Sequence, residues 1–173
     1  MRLIPTVCAI VLALGACSPG MFDGGSGAAS AKSAQPAVHS VSGLPVIDLT
    51  IASKRGKHAF RVEVAASQEE QARGLMFRTQ MGADEGMLFP EETPRRPSFW
   101  MKNTVIPLDI IYIGTNSRVL NIVNALPYDL TPLPAEGLAI GVLELNGGRA
   151  AQLGIKPGDK VSWKLPTVAK AAA

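Results

Sequence analysis

The sequence predicts a β-rich α+β domain whose antiparallel or mixed sheet forms a small closed or partly closed barrel. Three observations predict this fold class. Eight short segments have the patterning of β-strands, two brief segments have helix signals, and proline and glycine turns separate most of them. The 173 residues, of which 47% are hydrophobic, suit one domain with one core.

The strand predictions rest on apolar residues that alternate with polar ones, or that form short runs between turn residues. The first two segments alternate and are separated by a short polar turn, which predicts an antiparallel hairpin. Prolines interrupt regular pairing in the stretch PEETPRRP and again at Pro107. The predicted strands are residues 46–51, 60–64, 86–89, 98–102, 108–113, 119–125, 138–145 and 160–165.

Two short helices are predicted from their end signals. Ser67 and Glu70 have the spacing of a capping box, so a helix is expected over residues 68–73, ended by Gly74. A second helix is expected over residues 149–153, before another glycine. Residues 127–136 form a long proline-rich loop, and long loops on compact domains often bind ligands.

The N-terminus has the features of a secretory signal: a basic residue, an apolar run over residues 3–14, and small residues ending at Cys17. The residues LGAC resemble the bacterial lipoprotein signal motif, in which the cysteine is lipidated and becomes the first residue after cleavage. We therefore expect a signal peptide over residues 1–16, then a lipidated Cys17 and a flexible Gly/Ser/Ala tether to residue 43. The globular domain then covers residues 44–166, and residues 167–173 form a disordered tail.

This organisation predicts an exported protein that faces the periplasm and is held to a membrane through lipidated Cys17. Ser18 follows the cysteine in place of the aspartate linked to inner-membrane retention, which favours the outer membrane over the inner membrane. An ordinary signal peptide with a chance cysteine is the alternative.

Composition argues against several function classes. The formal net charge of +3 gives no indication of nucleic-acid binding. After the tether the chain has one histidine, His58, and no cysteine, which argues against a cysteine protease, a Cys/His zinc site and a Ser-His-Asp triad. Soft-metal binding by the methionines is an alternative, but the spacing of Met76, Met81, Met87 and Met101 fits core filling better. We predict no cofactor, no metal, no nucleic-acid partner and a monomer.

Two carboxylates lie inside apolar strands. The two-residue period places Asp109 on a face with Ile111 and Ile113, and Glu144 on a face with Val142 and Ile140. A buried carboxylate needs a cation, backbone N–H partners, or a position at the rim of the sheet. The candidate site comprises these two acids, an aromatic platform and nearby donors: Trp100, Lys102, Asn103, Asp109, Glu144, Arg73 and Arg78.

Three interpretations of this set remain open. It can be a structural ion-pair network, a ligand site for a sugar or another polyhydroxylated envelope component, or a pair of carboxylates for acid–base hydrolysis. We predict a binding or accessory module rather than an enzyme, with a glycan-like ligand or a partner protein in the envelope.

Six motifs together resemble the family called domain of unknown function 192. They are RGLMFR (73–78), EGMLF (85–89), FWMKNT (99–104), PLDIIYI (107–113), VLEL (142–145) and GIKPGD (154–159). The resemblance covers about residues 46–165 and implies a compact β-rich domain, usually exported in bacteria, with no established activity.

A second, local similarity suggests a different class of protein. Residues 137–140 and the following GGRAAQLGIKPGDKV resemble the second half of a PDZ domain, which implies a peptide-binding module.

Overall fold

The computed structural model describes residues 37–166. The predicted signal peptide, Cys17, most of the predicted tether and the predicted tail lie outside the described residues. No helix within residues 37–166 has the length and apolar character needed to cross a membrane. The elements are β1 (Ala37–Val38), β2 (Pro45–Ser53), β3 (Gly56–Val64), α1 (Gln68–Arg73), β4 (Glu85–Arg95), β5 (Ser98–Phe99), β6 (Leu108–Gly114), β7 (Val119–Ala125), β8 (Leu133–Pro134), β9 (Ala139–Asn146), α2 (Arg149–Leu153) and β10 (Lys160–Trp163).

Eight of the strands form one mixed sheet, in the order β1-β2-β3-β4-β9-β6-β7, with β10 also paired to β2. The β3–β4 pair is parallel and the other pairs are antiparallel. The predicted β-rich fold with two short helices is therefore confirmed. The predicted barrel is not: the strand path across the described residues is open, and an isolated bridge between Arg118 and Lys160 takes the place of a closing strand pair.

The central strands are buried on both faces of the sheet, and all seven residues of β6 are buried. On the first face, Ile111 and Leu143 belong to a core that also includes residues of β2, β3 and β10 and Ala150 of α2. On the second face, Ile110 and Val142 belong to a separate core. Loop residues cover this second face, and we call them the loop cover: Leu75, Met81, Phe99, Met101, Ile106, Leu133 and Ala135.

Local sequence signals predicted the positions of most helices and strands. Where the observed bounds differ, long-range backbone pairing is the cause. The helices and β7 have the predicted bounds, and the capping box of Ser67 and Glu70 forms with both of its hydrogen bonds. The prediction of a loop at PEETPRRP is wrong, because β4 continues to Arg95, but its pairing there is irregular, as the prolines predict, with a register shift between Pro90 and Arg95. The predicted strand 98–102 ends at Phe99, because the Met101 N–H bonds to the carbonyl of Asp129 instead.

The last residues of the predicted tether belong with the sheet. Ala37 and Val38 pair with the beginning of β2, and a turn over residues 39–44 follows them. Hydrogen bonds between the backbones of His39 and Leu44, and of Gly43 and His39, close this turn. We call residues 39–44 the N-terminal turn.

Candidate functional site

Asp109 lies at the start of β6 on the first face and is fully buried. Its Oδ1 accepts hydrogen bonds from the N–H of Gly148 (2.9 Å) and from the Asn124 amide, and its Oδ2 accepts from the N–H of Ala150 (2.7 Å). Helix α2 begins after Gly148, which has no side chain to cap it. Asp109 therefore acts as the N-terminal cap of α2, supplied from a neighbouring strand.

Glu144 lies on β9 and faces the second core. It pairs in register with Met87 of β4 and Ile110 of β6, and its residue is 4% exposed. Burial raises the pKa of Glu144 to about 8, from an ordinary value of 4.5. Burial is the one cause of this pKa shift, and no cation lies beside the carboxyl among the described residues. With its pKa at about 8, the carboxyl keeps its proton at neutral pH.

The sequence predicts that each acid has a cation or backbone N–H partners, or lies at the rim of the sheet. This is confirmed for Asp109 through its backbone N–H partners, whereas Glu144 has neither a cation nor a hydrogen-bond donor among the described residues. The two acids also lie on opposite faces of the sheet, one in each core, so they cannot act together on one substrate. The prediction that Glu144 shares a face with Ile140 fails as well, since Ile140 packs against the first core. A register shift between β6 and β9 next to this residue breaks the two-residue period.

Arg78 forms the principal buried ion pair of the domain. Its guanidinium donates two hydrogen bonds to the carboxylate of Glu63 on β3, at 2.8 and 3.0 Å. The hydroxyl of Ser42 also donates to this carboxylate, and His39 Nδ1 lies 3.6 Å from it. Glu63 therefore joins the segment after α1, the sheet and the N-terminal turn.

A cavity of about 880 Å³ lies between the N-terminal turn and residues 69–85. Arg73 and Arg78 line it together with apolar side chains, among them Met76, Phe77 and Met81. We call this cavity the cleft. Its mixture of charged, polar and apolar groups suits a ligand that is itself amphipathic.

Three loops adjoin the cleft and are joined by backbone hydrogen bonds. The Phe77 N–H donates to the Asn103 carbonyl (2.8 Å), and the Tyr128 N–H donates to the Thr104 carbonyl (3.1 Å). Phe77 is 67% exposed, Trp100 52% and Tyr128 62%. We call the segments 76–78, 99–104 and 126–130 the aromatic loops.

The aromatic loops contain unusual backbone geometry. Phe77, Asn103 and Tyr128 have φ values of 62°, 54° and 61°, in the left-handed region that favours glycine. Only one other non-glycine residue within residues 37–166, Ser117, shares this geometry. Such conformations cost about 1–3 kcal/mol each and concentrate at functional sites. The loops are therefore the strongest candidate for a binding surface.

The structure divides the predicted site residues among three places. Trp100, Lys102 and Asn103 lie on the aromatic loops, where the Lys102 ammonium lies 5.2 Å from the centre of the Trp100 ring. Arg73 and Arg78 line the cleft. Asp109 and Glu144 lie inside the domain and face away from each other.

Sequence reasoning missed three residues that define these places. Glu63 occupies a polar position in an alternating strand, which predicts exposure, but it is 3% exposed, beside β4 and in contact with Arg78 and Ser42. Phe77 and Tyr128 lie in segments whose importance was visible, the RGLMFR motif and the proline-rich loop. Their exposure depends on long-range loop contacts that local patterns do not show.

The structure also shows where the four methionines lie. Met87 and Met101 are buried in the second core and Met81 packs against it, which confirms core filling for these three; Met76 lines the cleft, as Met81 also does.

A PDZ-type groove needs an edge strand beside a helix. Here β9 is paired on both sides, with β4 and β6, and α2 is five residues long, so the peptide-binding hypothesis lacks its groove.

The fold and its loops define the class of protein: a β-rich domain with a mixed sheet whose second face is covered by loops. The model of the family domain of unknown function 192, described as "Uncharacterized ACR", matches residues 50–163. The chain belongs to this DUF192 family.

Two solved structures are similar to the chain. A protein of unknown function from Novosphingobium aromaticivorans is 58% identical with a TM-score of 0.73, over 76% of this chain and 94% of that chain. A proposed transcription regulator from Sinorhizobium meliloti is 34% identical with a TM-score of 0.67, over 69% of this chain and 95% of that chain. Among curated proteins, none matches.

The capping role of Asp109 predicts a large loss of stability in Asp109→Ala. The substitution leaves two N–H groups of the α2 N-terminus without their acceptor, so we expect the free energy of unfolding to fall by about 2–4 kcal/mol. Urea denaturation measures it. The matched control is Asp48→Ala, which removes an exposed carboxylate from β2. Equal losses in the two variants would contradict the capping role.

The raised pKa of Glu144 predicts that stability falls as pH rises. Between about pH 4.5 and 8 the folded chain keeps the Glu144 proton and the unfolded chain releases it. The free energy of unfolding therefore decreases across this window, by up to about 1.4 kcal/mol per pH unit. Glu144→Gln removes this contribution, so urea denaturation at pH 5, 6.5 and 8 should give a flatter dependence than in the wild type. The exposed Glu92→Gln serves as control, and a Glu144→Gln curve parallel to the wild type would show that the carboxyl is ionised when folded.

Proposed function

We propose that this protein is an exported, lipid-anchored binding or accessory module that holds a polyhydroxylated, glycan-like envelope ligand and does not transform it. The observation that supports this most is the position of Phe77. This residue lines the cleft and also belongs to the aromatic loops, so the two features meet there. Together they offer a continuous path for an extended ligand.

The side chains along this path match the chemistry of a sugar chain. A sugar ring has apolar C–H faces and a rim of hydroxyl groups, so it needs flat apolar surfaces beside hydrogen-bonding groups. Trp100 and Phe77 offer exposed rings. Lys102 and Asn103 lie next to Trp100, and Asn103 donates only a long contact to the Met76 sulfur (3.9 Å), which leaves its amide able to bind hydroxyls.

The state of the buried acids favours binding over catalysis. A glycoside hydrolase needs two carboxyl groups that both reach the substrate. Asp109 is engaged with α2 and Glu63 with Arg78, while Glu144 lies beneath the loop cover. Besides the cleft carboxylates Glu69, Glu70 and Glu85, the surface that a ligand can reach offers aromatic rings, amides and cations.

The anchoring part of the proposal rests on the sequence around Cys17, and mass spectrometry of the mature protein tests it. We expect the first residue to be Cys17 with attached acyl chains, recovered in the outer-membrane fraction. Each buried methylene adds about 0.8 kcal/mol to membrane binding, so several chains give a firm anchor. An unmodified Cys17, or cleavage at another residue, would remove the anchor from the proposal.

Binding is tested by a thermal-shift screen of the purified protein against cell-wall fragments and neutral and acidic oligosaccharides. A ligand that binds only the folded state raises the melting temperature in a concentration-dependent way. We expect a glycan hit whose shift is lost in Trp100→Ala and retained in Val38→Ala, which removes a similarly exposed apolar side chain from β1. A hit that survives Trp100→Ala, or a screen without any glycan hit, would count against the proposed surface.

A further inference from the structure

The carboxylates beside the cleft and the aromatic loops are mostly engaged by the protein itself. Four of them accept hydrogen bonds from cations or backbone N–H groups, which occupy carboxylate oxygens and stabilise the ionised form. For Asp129, the N–H and hydroxyl groups of Thr131 hold the pKa below its usual range. The engaged pairs are Glu63 with Arg78, Glu70 with the N–H groups of Ala66 and Ser67, Glu85 with the N–H of Gly82, and Asp129 with the N–H of Thr131.

Two cations, one in the cleft and one on the aromatic loops, are not engaged in this way. Within residues 37–166, neither Arg73 nor Lys102 has a carboxylate within 4.0 Å, and both side chains belong to exposed residues. Arg73 ends α1 and lines the cleft. Lys102 lies against the Trp100 ring, which attracts the ammonium but accepts none of its three N–H groups as a carboxylate would.

One acid at the site is an exception. Glu69 lines the cleft, is exposed, and lies one helical turn before Arg73. It competes with any anion for that guanidinium, weakly, as is typical of an exposed pair. Among these charged side chains, those without a hydrogen-bond or ion-pair partner in the described residues are therefore two cations and one carboxylate.

We infer that the ligand of the cleft and aromatic loops is an acidic glycan, whose sugar carboxylates pair with Arg73 and Lys102. This inference rests on the proposed function and specifies its ligand class. A guanidinium binds a carboxylate through two parallel hydrogen bonds, which suits Arg73 at the wall of the cleft. A sugar acid bound beside Trp100 would present its carboxylate to the Lys102 ammonium, which lies over the ring, 5.2 Å from its centre.

The test compares two probes that differ only in charge: tetragalacturonic acid and its fully methyl-esterified form. Isothermal titration of the purified protein at low salt should show at least about tenfold tighter binding of the acid, and added salt should reduce this difference. Arg73→Gln and Lys102→Gln should each weaken binding of the acid several-fold and reduce its preference over the ester. Glu69→Gln should tighten binding of the acid, because it removes the competing carboxylate.

The outcomes separate this inference from the proposed function. If acid and ester bind equally and Trp100→Ala abolishes both, the glycan site stands and the acidic ligand class is wrong. If the acid binds more tightly but Arg73→Gln, Lys102→Gln and Glu69→Gln leave the difference unchanged, the preference arises elsewhere and the inference is overturned. If neither probe binds, both the inference and the glycan site fail.

Discussion

The central strands of this domain are buried on both faces, and the rest of the structure follows from that constraint. A sheet in water usually leaves one face exposed, but every residue of β6 is inaccessible, so each face needs a cover. The first face is covered by strands from the far end of the sheet and by α2. The second face is covered by loops. Short helices and loops contribute little stability of their own, so each cover must be fixed to the sheet.

Buried carboxylates provide that fixation. Asp109, on the first face, binds the N-terminus of α2. Glu63 binds Arg78, which follows Leu75 of the loop cover. In both cases the carboxylate replaces its lost hydration with several hydrogen bonds, which is the condition for burying a charge without a large penalty. Glu144 makes no such contact within the described part of the chain, and it resolves the same problem by retaining its proton.

The same constraint explains how the aromatic loops obtain their exposed side chains. In the segment FWMKNT, Met101 is fully buried because it covers the second face, while Trp100 on one side is half exposed and Lys102 on the other is exposed. An extended segment that points one residue inward points its neighbours outward. The surface that we propose binds a ligand is thus the outer side of a segment whose inner side completes a core, and the left-handed residues permit the sharp bends this needs.

Local sequence signals made the helices and most strands predictable, whereas long-range contacts determined the partners of the buried acids and the exposure of the loops. The capping box at Ser67 and the glycine after α2 define the two helices within a few residues of sequence, and period-two patterning located most strands. The partners of Asp109, by contrast, lie 39 and 41 residues away, and a pattern can show that a buried acid needs donors without showing which ones. Exposure of Phe77 has the same origin, since it depends on a hydrogen bond to the distant Asn103. The prediction of a barrel is not confirmed, for a related reason. The number of strands does not determine how the two distant edges of a sheet meet.

Glu63 connects this architecture to the proposed binding site. One of its oxygens receives the Ser42 hydroxyl from the N-terminal turn, and both receive Arg78 from the segment after α1. Both of these segments line the cleft. A single buried carboxylate therefore joins two parts of the cleft wall, and it also holds the N-terminal turn. A ligand that moves either wall must work against the same ion pair, so the shape of the cleft and the attachment of the N-terminal turn are physically coupled.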